Sequence, residues 1–111
     1  MSKHVLLVFT DPVPGRTEEF NSWYREVHLP DVLGLPGFRA AQRFIAKSGL
    51  HDEQPEHQYL AIYEIDEEDL SAALNTLREG LASFEKTDAM VPALVTYAFT
   101  AVDDRREAAN V

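Results

Sequence analysis

The residues best suited to chemistry lie between positions 20 and 31. Phe20, Tyr24 and His28 recur at four-residue intervals with Trp23 beside them, a spacing that predicts one apolar face of a helix. We therefore expect the His28 imidazole on the buried side of that helix, with the Asp31 carboxylate three residues later. An imidazole can give or take a proton near neutral pH. His28 is the candidate general acid/base, and Asp31 is the group that would orient it.

Both residues also have purely structural interpretations. His28 can interact favourably with the C-terminal dipole of the helix, and Asp31 can open a short turn after it. Pro30 disfavours helical geometry at the preceding residue, so the helix is predicted to end at about His28. Burial would favour the neutral imidazole and a nearby carboxylate would favour the imidazolium, and the sequence leaves that balance open.

Hydrophobic periodicity predicts six elements of secondary structure, including the helix that carries His28. The elements are strands at 4–10, 38–47, 58–65 and 92–101, a first helix from Thr17 to about His28, and a second helix from a cap at Asp66 to Phe84. Arg39 and Arg43 indicate a partly solvated face on the second strand, and Gly80 is expected to bend the second helix. The order is that of an α+β, ferredoxin-like βαββαβ fold with a four-stranded antiparallel sheet.

The strands are apolar on both faces, which has a consequence for assembly. Two helices cover only one face of a four-stranded sheet, so the other face needs a second cover. In a chain of 111 residues the simplest cover is another copy, with the two sheets packed face to face. The sequence therefore predicts a symmetric homodimer, a dimeric α/β barrel.

This topology predicts which residues surround His28. The first helix runs back along the first strand, which places His28 near His4. We also expect the third strand to run parallel to the first, which would bring Tyr59 to the same end. The expected substrate-binding set is His4, Trp23, Tyr24, Tyr59, Phe84, Tyr97 and Phe99. Such a site suits a small, flat, apolar or aromatic molecule. Alternatively, the aromatic residues simply fill the core and leave no cavity.

Composition excludes several classes of function. Residues 1–102 form one predicted domain, and residues 103–111 are expected to be a loosely ordered tail. The absence of cysteine excludes disulfides and thiolate chemistry, and a net charge of −9 argues against a nucleic-acid partner. No apolar run is long enough to span a membrane. The N-terminal apolar run is too short for a signal peptide, so a cytoplasmic location is expected.

The sequence contains no strong motif for binding a cofactor or a metal. There is no glycine-rich nucleotide motif, phosphate loop, nucleophile elbow or zinc-protease motif. His51 and His57 lie in a polar loop and make a weak metal site at best. We therefore expect no cofactor and no metal.

The central segment resembles a known family. Trp23, Tyr24, His28, Pro30 and Asp31, followed by Pro36-Gly37-Phe38, are similar to the EthD-like branch of the dimeric α/β-barrel superfamily. That resemblance implies a ferredoxin-like protomer that dimerises through its sheet. Methylmuconolactone methylisomerases of the superfamily carry a comparable histidine before a Pro-Gly turn. Related polyketide cyclases carry a Lys-His dipeptide at the first strand, similar to Lys3-His4. The Asn/Trp/His set of haem-degrading members is not found in corresponding strands.

Residues and resemblance together lead to a functional hypothesis. The chain is expected to be a cofactor-independent isomerase, cyclase or lyase acting on an aromatic, lactone or polyketide-like intermediate by histidine acid/base catalysis. A non-catalytic small-molecule binding protein of a catabolic pathway is one alternative, and a cofactor-free monooxygenase is another. The branch spans all these activities, and fold membership does not choose among them.

Overall fold

The computed structural model describes residues 3–109 and has the predicted element order. The strands are β1 (His4–Thr10), β2 (Phe38–Ile45), β3 (Tyr59–Ile65) and β4 (Val95–Thr100). The helical segments are α1 (Thr17–Trp23), a π-helical turn (Tyr24–His28), α2 (Leu29–Leu33) and α3 (Leu70–Ser83). The predicted α+β class and the four-stranded antiparallel sheet are confirmed.

The four strands are arranged in the order β2-β3-β1-β4, and each neighbouring pair is antiparallel. The expectation that β3 runs parallel to β1 is therefore wrong. β3 lies between β1 and β2 and is antiparallel to both, so β1 and β2 run parallel to each other. In this register Tyr59 pairs with Thr10, and His4 pairs with Ile65. Tyr59 and His4 consequently lie at opposite ends of the sheet.

The first helix does not end at His28. Leu29 donates its N–H to the carbonyl of Tyr24, five residues back, which is the π-helical spacing. Helical geometry then continues through Pro30 to Leu33, with Gly34 as the C-cap. The ring of a helical proline crowds the carbonyl four residues before it, and a widened turn relieves that crowding. Val32, only 1% exposed, anchors this extension to the core.

The second long helix, α3, begins later than predicted. Its cap is Asp69 rather than Asp66, and the Asp69 carboxylate accepts a hydrogen bond from the Ala72 N–H at 3.2 Å. The helix continues through Gly80. A side chain at Gly80 would come within 3.0–3.1 Å of the Phe84 and Leu35 side chains. Gly80 therefore allows close packing around Phe84.

The two faces of the sheet differ in cover. The helices bury one face, where the core contains Leu6, Ala61, Tyr63 and Ile65 together with helical residues. On the opposite face the large side chains are uncovered. Phe44, Tyr97 and Phe99 are 42%, 57% and 53% exposed, respectively. The predicted excess of apolar surface on this open face is confirmed.

The remaining segments add little to the core. Residues 103–109 contain no helix or strand and are exposed, and the predicted looseness of this tail stays a prediction. Within residues 3–109, no helix has both the length and the apolar character needed to cross a bilayer.

Phe20 should be a major source of stability. Its side chain is fully buried, and its ring centroid lies 5.6 Å from that of Tyr24 and 5.4 Å from that of Tyr59. We expect Phe20→Ala to lower the free energy of unfolding by about 3–5 kcal/mol, because it removes buried area and leaves a cavity. Urea denaturation measures this loss. Leu50→Ala, at a position 92% exposed, is the control and should change stability by less than about 0.5 kcal/mol. A similarly small loss for Phe20→Ala would contradict the prediction.

Candidate functional site

A cleft of about 690 Å³ opens between the helices and the sheet. Its floor is formed by inward-facing strand residues, and its walls by the π-helical turn, α2, α3 and the segment after α3. The apolar lining comprises Leu6, Val8, Trp23, Tyr24, Val32, Tyr63, Leu74, Leu77, Leu81, Phe84, Met90, Leu94 and Ala98. The cleft is large enough for a small organic molecule and predominantly apolar, as ligand sites commonly are. The alternative in which the aromatic residues leave no cavity is therefore excluded.

His28 lines this cleft and is enclosed by aromatic rings. Its imidazole stacks on Trp23, with centroids 4.7 Å apart and planes 19° from parallel. Tyr24 and Phe84 meet it edge-on, at centroid distances of 5.1 and 6.4 Å. His28 Nδ1 is buried and has no hydrogen-bond partner among the described residues. An unpaired buried nitrogen costs roughly 1–3 kcal/mol.

The protonation state of His28 follows from its surroundings. Desolvation lowers the pKa of His28 from an ordinary value of 6.5 to about 4, and the charge of Asp31 opposes this shift without cancelling it. His28 is therefore neutral at pH 7, the form that accepts a proton. Within residues 3–109 no hydrogen bond joins Asp31 to His28, so Asp31 influences the ring through its charge.

Two phenols lie beside His28 in the cleft. Tyr63 donates a hydrogen bond to the Tyr24 hydroxyl, with 3.4 Å between the oxygens, and both side chains are 2% exposed. Burial raises the pKa of both groups above the usual 10. For Tyr24, the Tyr63 hydrogen bond and the charge of Arg43 act in the opposite direction. For Tyr63, proximity to Tyr24 raises the pKa further. Tyr24 is thus the more acidic of the pair.

The segment after α3 closes one side of the cleft. Trp23 Nε1 donates to the carbonyl oxygen of Glu85 at 3.1 Å, which ties the indole to this segment. Lys86 donates to the carbonyl oxygens of Leu81 and Phe84 at 2.9 and 3.0 Å and so caps the C-terminal end of α3. These bonds fix the indole on which His28 stacks.

The structure brings together only part of the expected site. Trp23, Tyr24, His28 and Phe84 line one cleft, and Asp31 lies near enough to affect His28. His4 is buried, within hydrogen-bond distance of the Thr100 hydroxyl at 2.8 Å and the Glu68 carbonyl at 3.2 Å, and does not line the cleft.

The other expected substrate-binding residues also lie elsewhere. Tyr59 packs on Phe20 and shares a hydrogen bond with Asn21. Tyr97 and Phe99 are on the open face, because they pair with Leu7 and Val5, whose side chains point away from the helices. The reversed direction of β3 explains the displacement of Tyr59.

Two residues of the site were not singled out by sequence reasoning. Tyr63 was assigned only to an apolar strand face, although its hydroxyl reaches Tyr24. Arg43 was interpreted as solvated, yet its guanidinium carbon lies 4.2 Å from the centroid of the Tyr24 ring. Strand alternation places Arg43 on the same face as Ala41, and that was the available signal.

Acidification should destabilise the protein through His28. Because the folded-state pKa is lowered, the unfolded state takes up the proton first as the pH falls, and stability is lost between about pH 6.5 and pH 4. From pH 7 to pH 4 we expect the wild-type protein to lose about 2–3 kcal/mol more than His28→Gln. Urea denaturation at both pH values measures this difference. His51→Gln, in an exposed loop, should behave as wild type. Equal losses in all three proteins would refute the assignment.

Comparison with known proteins identifies the fold. No protein-family model and no curated protein matches the sequence. Among solved structures, an MhuD mutant with two manganese protoporphyrin IX molecules bound per active site has a TM-score of 0.65 at 16% identity, covering 94% of this chain and 99% of that one. A putative monooxygenase from Shewanella loihica has a TM-score of 0.52 at 21% identity, and the match covers 96% of this chain and 99% of that one. An EthD family protein from Bacillus halodurans has a TM-score of 0.51 at 14% identity, and the match covers 87% of this chain and 97% of that one. The chain therefore shares its ferredoxin-like fold with EthD family proteins, as the resemblance implied.

Proposed function

We propose that this protein is a cofactor-independent enzyme that moves a proton on a small, flat, largely apolar molecule with an aromatic, lactone or polyketide-like skeleton. His28 is the acid/base group, and the cleft beside it holds the substrate. The observation that carries this proposal is that His28, whose Nδ1 has no hydrogen-bond partner among the described residues, lines the cleft. A neutral imidazole with a free ring nitrogen is equipped to accept a proton.

The surroundings of His28 suit isomerase or cyclase chemistry. Stacking on Trp23 and edge contacts with Tyr24 and Phe84 fix the plane of the ring. Asp31 stabilises the imidazolium that forms when His28 takes a proton, acting through its charge. The same imidazolium can return the proton at another carbon. The porphyrin bound by the MhuD mutant supports a flat ligand in a fold of this kind.

A second candidate is a non-catalytic small-molecule binding protein. The pKa of about 4 for His28 favours this alternative, because a base works best when its pKa lies near the operating pH. A bound ligand that places negative charge near the ring would raise that pKa.

Cofactor-free oxygenation is a further alternative, supported by the fold shared with a putative monooxygenase. It predicts that turnover requires oxygen.

We also propose that two copies pack through the open faces of their sheets. Besides Phe44, Tyr97 and Phe99, this face contains a second apolar cleft of about 670 Å³, lined in part by Phe9, Leu60 and Val95. A contiguous apolar surface of this kind is costly in water and typical of a protein interface. A second copy supplies a matching apolar face, and its helices lie on the outer side, so both His28 clefts stay open.

Proton transfer can be tested with an enolisable aromatic ketone. We expect the protein to accelerate exchange of the hydrogens next to the carbonyl of 1-tetralone in D2O, observed by NMR. His28→Ala should lower the accelerated rate about a hundredfold or more, because it removes the base. His51→Ala is the matched control and should exchange as wild type. Fluorescence of Trp23, the only tryptophan, reports binding separately. Binding without exchange would favour the non-catalytic candidate, and full exchange by folded His28→Ala would refute the role of His28.

The assembly can be tested with one charged residue on the open face. Tyr97→Glu places a carboxylate at the centre of the proposed interface, where burial would leave it unpaired. We expect this variant to be monomeric in light scattering coupled to size-exclusion chromatography, whereas the wild type has twice the monomer mass. Leu50→Glu, in an exposed loop, should remain dimeric. A monomeric wild type would rule out the interface.

A further inference from the structure

Arg43 is a cation placed among aromatic rings. Its guanidinium carbon lies 4.2 Å from the centroid of the Tyr24 ring, 5.1 Å from that of Tyr59 and 5.2 Å from that of Phe20. It donates one hydrogen bond, at 2.9 Å, to the side-chain oxygen of Asn21. The side chain is half-buried, and burial lowers its pKa from the ordinary value. Arginine nevertheless keeps its charge in proteins.

The lack of a carboxylate partner distinguishes Arg43 from several other arginines. The sequence contains 19 acidic and 10 basic residues, and some of the arginines pair with carboxylates. Arg16 pairs with Glu19 and Asp88, and Arg39, four residues before Arg43 on the same strand, pairs with Glu64. Among residues 3–109, no ion pair involves Arg43. Its charge is therefore not neutralised by a neighbour and acts on the aromatic groups that surround it.

Tyr24 lies between the positive charge of Arg43 and the cleft. Arg43 does not line the cleft, but the Tyr24 side chain on which it stacks does. The Tyr24 oxygen already accepts a hydrogen bond from Tyr63, which leaves the proton of the Tyr24 hydroxyl available to another acceptor. His28 lies edge-on to the same ring. Both side chains line the cleft, so one ligand there can contact both residues.

We infer that Arg43 is a positioning residue that acts through Tyr24 to make the cleft selective for an oxyanion, the enolate or phenolate oxygen of a flat ligand. This inference rests on the proposed function. When the His28 imidazole takes a proton from the carbon next to a carbonyl, the electron pair of the broken C–H bond forms a C=C bond. The π electron pair of the carbonyl then moves onto its oxygen. The Tyr24 hydroxyl donates a hydrogen bond to that oxygen. Return of the proton from His28 to carbon restores the neutral protein, and no oxidant or reductant is needed.

The charged and titratable groups around Tyr24 are consistent with this role. The positive charge of Arg43 and the Tyr63 hydrogen bond both oppose the effect of burial on Tyr24, so they make its hydroxyl a stronger donor. Tyr63 stays protonated and holds the Tyr24 oxygen. Before proton transfer His28 is neutral, so it does not attract the ligand oxyanion away from the Tyr24 hydroxyl. Arg25 adds a second positive charge near Arg43. Hydrogen bonds from a phenol to a charged oxygen are stronger than those to a neutral one.

The test uses 4-nitrophenol, whose ionised form is yellow, as a probe of oxyanion binding. Absorbance titrations at several pH values give the affinities of the neutral and ionised forms separately, without any turnover. We expect Tyr24→Phe and Arg43→Met each to lower the preference for the ionised form at least about tenfold. Arg43→Lys should retain most of it, because it keeps the positive charge. Arg39→Met, on the same strand, is the matched control and should match wild type. Arg43→Gln, which can still donate to Asn21, replaces Arg43→Met if that variant does not fold.

Each outcome decides the inference. Selective loss of phenolate affinity in the Tyr24 and Arg43 variants supports it. Equal loss of both forms in Arg43→Met or Arg43→Gln would show that Arg43 only supports packing, and an unchanged preference would exclude its charge as a factor. Weak binding of the ionised form by the wild type would overturn the inference as well. The proposed proton transfer is tested separately, by hydrogen exchange of 1-tetralone in the wild type and His28→Ala. If only that proposal fails, the protein will prefer phenolate but will not accelerate exchange.

Discussion

The candidate site depends on how one proline is accommodated inside a helix. Pro30 has no backbone N–H, and its ring crowds the carbonyl one turn earlier. The helix widens to a π-helical turn over Tyr24–His28 and continues to Leu33, held by the buried side chain of Val32. The extra residue in this turn sets the relative directions of Tyr24 and His28. Both side chains line the cleft from this turn.

The same region contains interactions that do not favour stability. His28 Nδ1 is buried without a partner, and Arg43 is half-buried without a carboxylate. Each leaves a polar or charged group imperfectly solvated, which costs free energy unless another group compensates. The rest of the core is apolar and well covered, with Phe20 fully buried next to this cluster. An apolar core around a nitrogen without a hydrogen bond and an arginine without a counter-charge is typical of binding and catalytic sites.

Local periodicity was enough to predict much of this arrangement. The spacing of Trp23, Tyr24 and His28 identified one helical face, and all three line the cleft. Strand alternation grouped correctly the residues that share a face of β3 and of β4, and it predicted the apolar open face. It did not identify which face of β4 meets the helices, so Tyr97 and Phe99 were wrongly expected in the cleft. The predicted end of the helix was wrong, because the preference of residues before proline was overcome by the burial of Val32 and by the widened turn. Such tertiary contacts are not visible in a local pattern.

The remaining errors concern long-range geometry. The ferredoxin-like order was recognised, but the direction of β3 was misassigned, and this displaced Tyr59 to the wrong end of the sheet. Arg39 and Arg43 were given one environment because they are four residues apart on a strand. An irregularity between Phe38 and Ala40 shifts the register, so a two-residue period no longer relates the two arginines. Arg39 pairs with Glu64, and Arg43 stacks on Tyr24. A single shift in pairing thus places one arginine in solvent and the other behind the cleft, where its charge can bear on bound ligand.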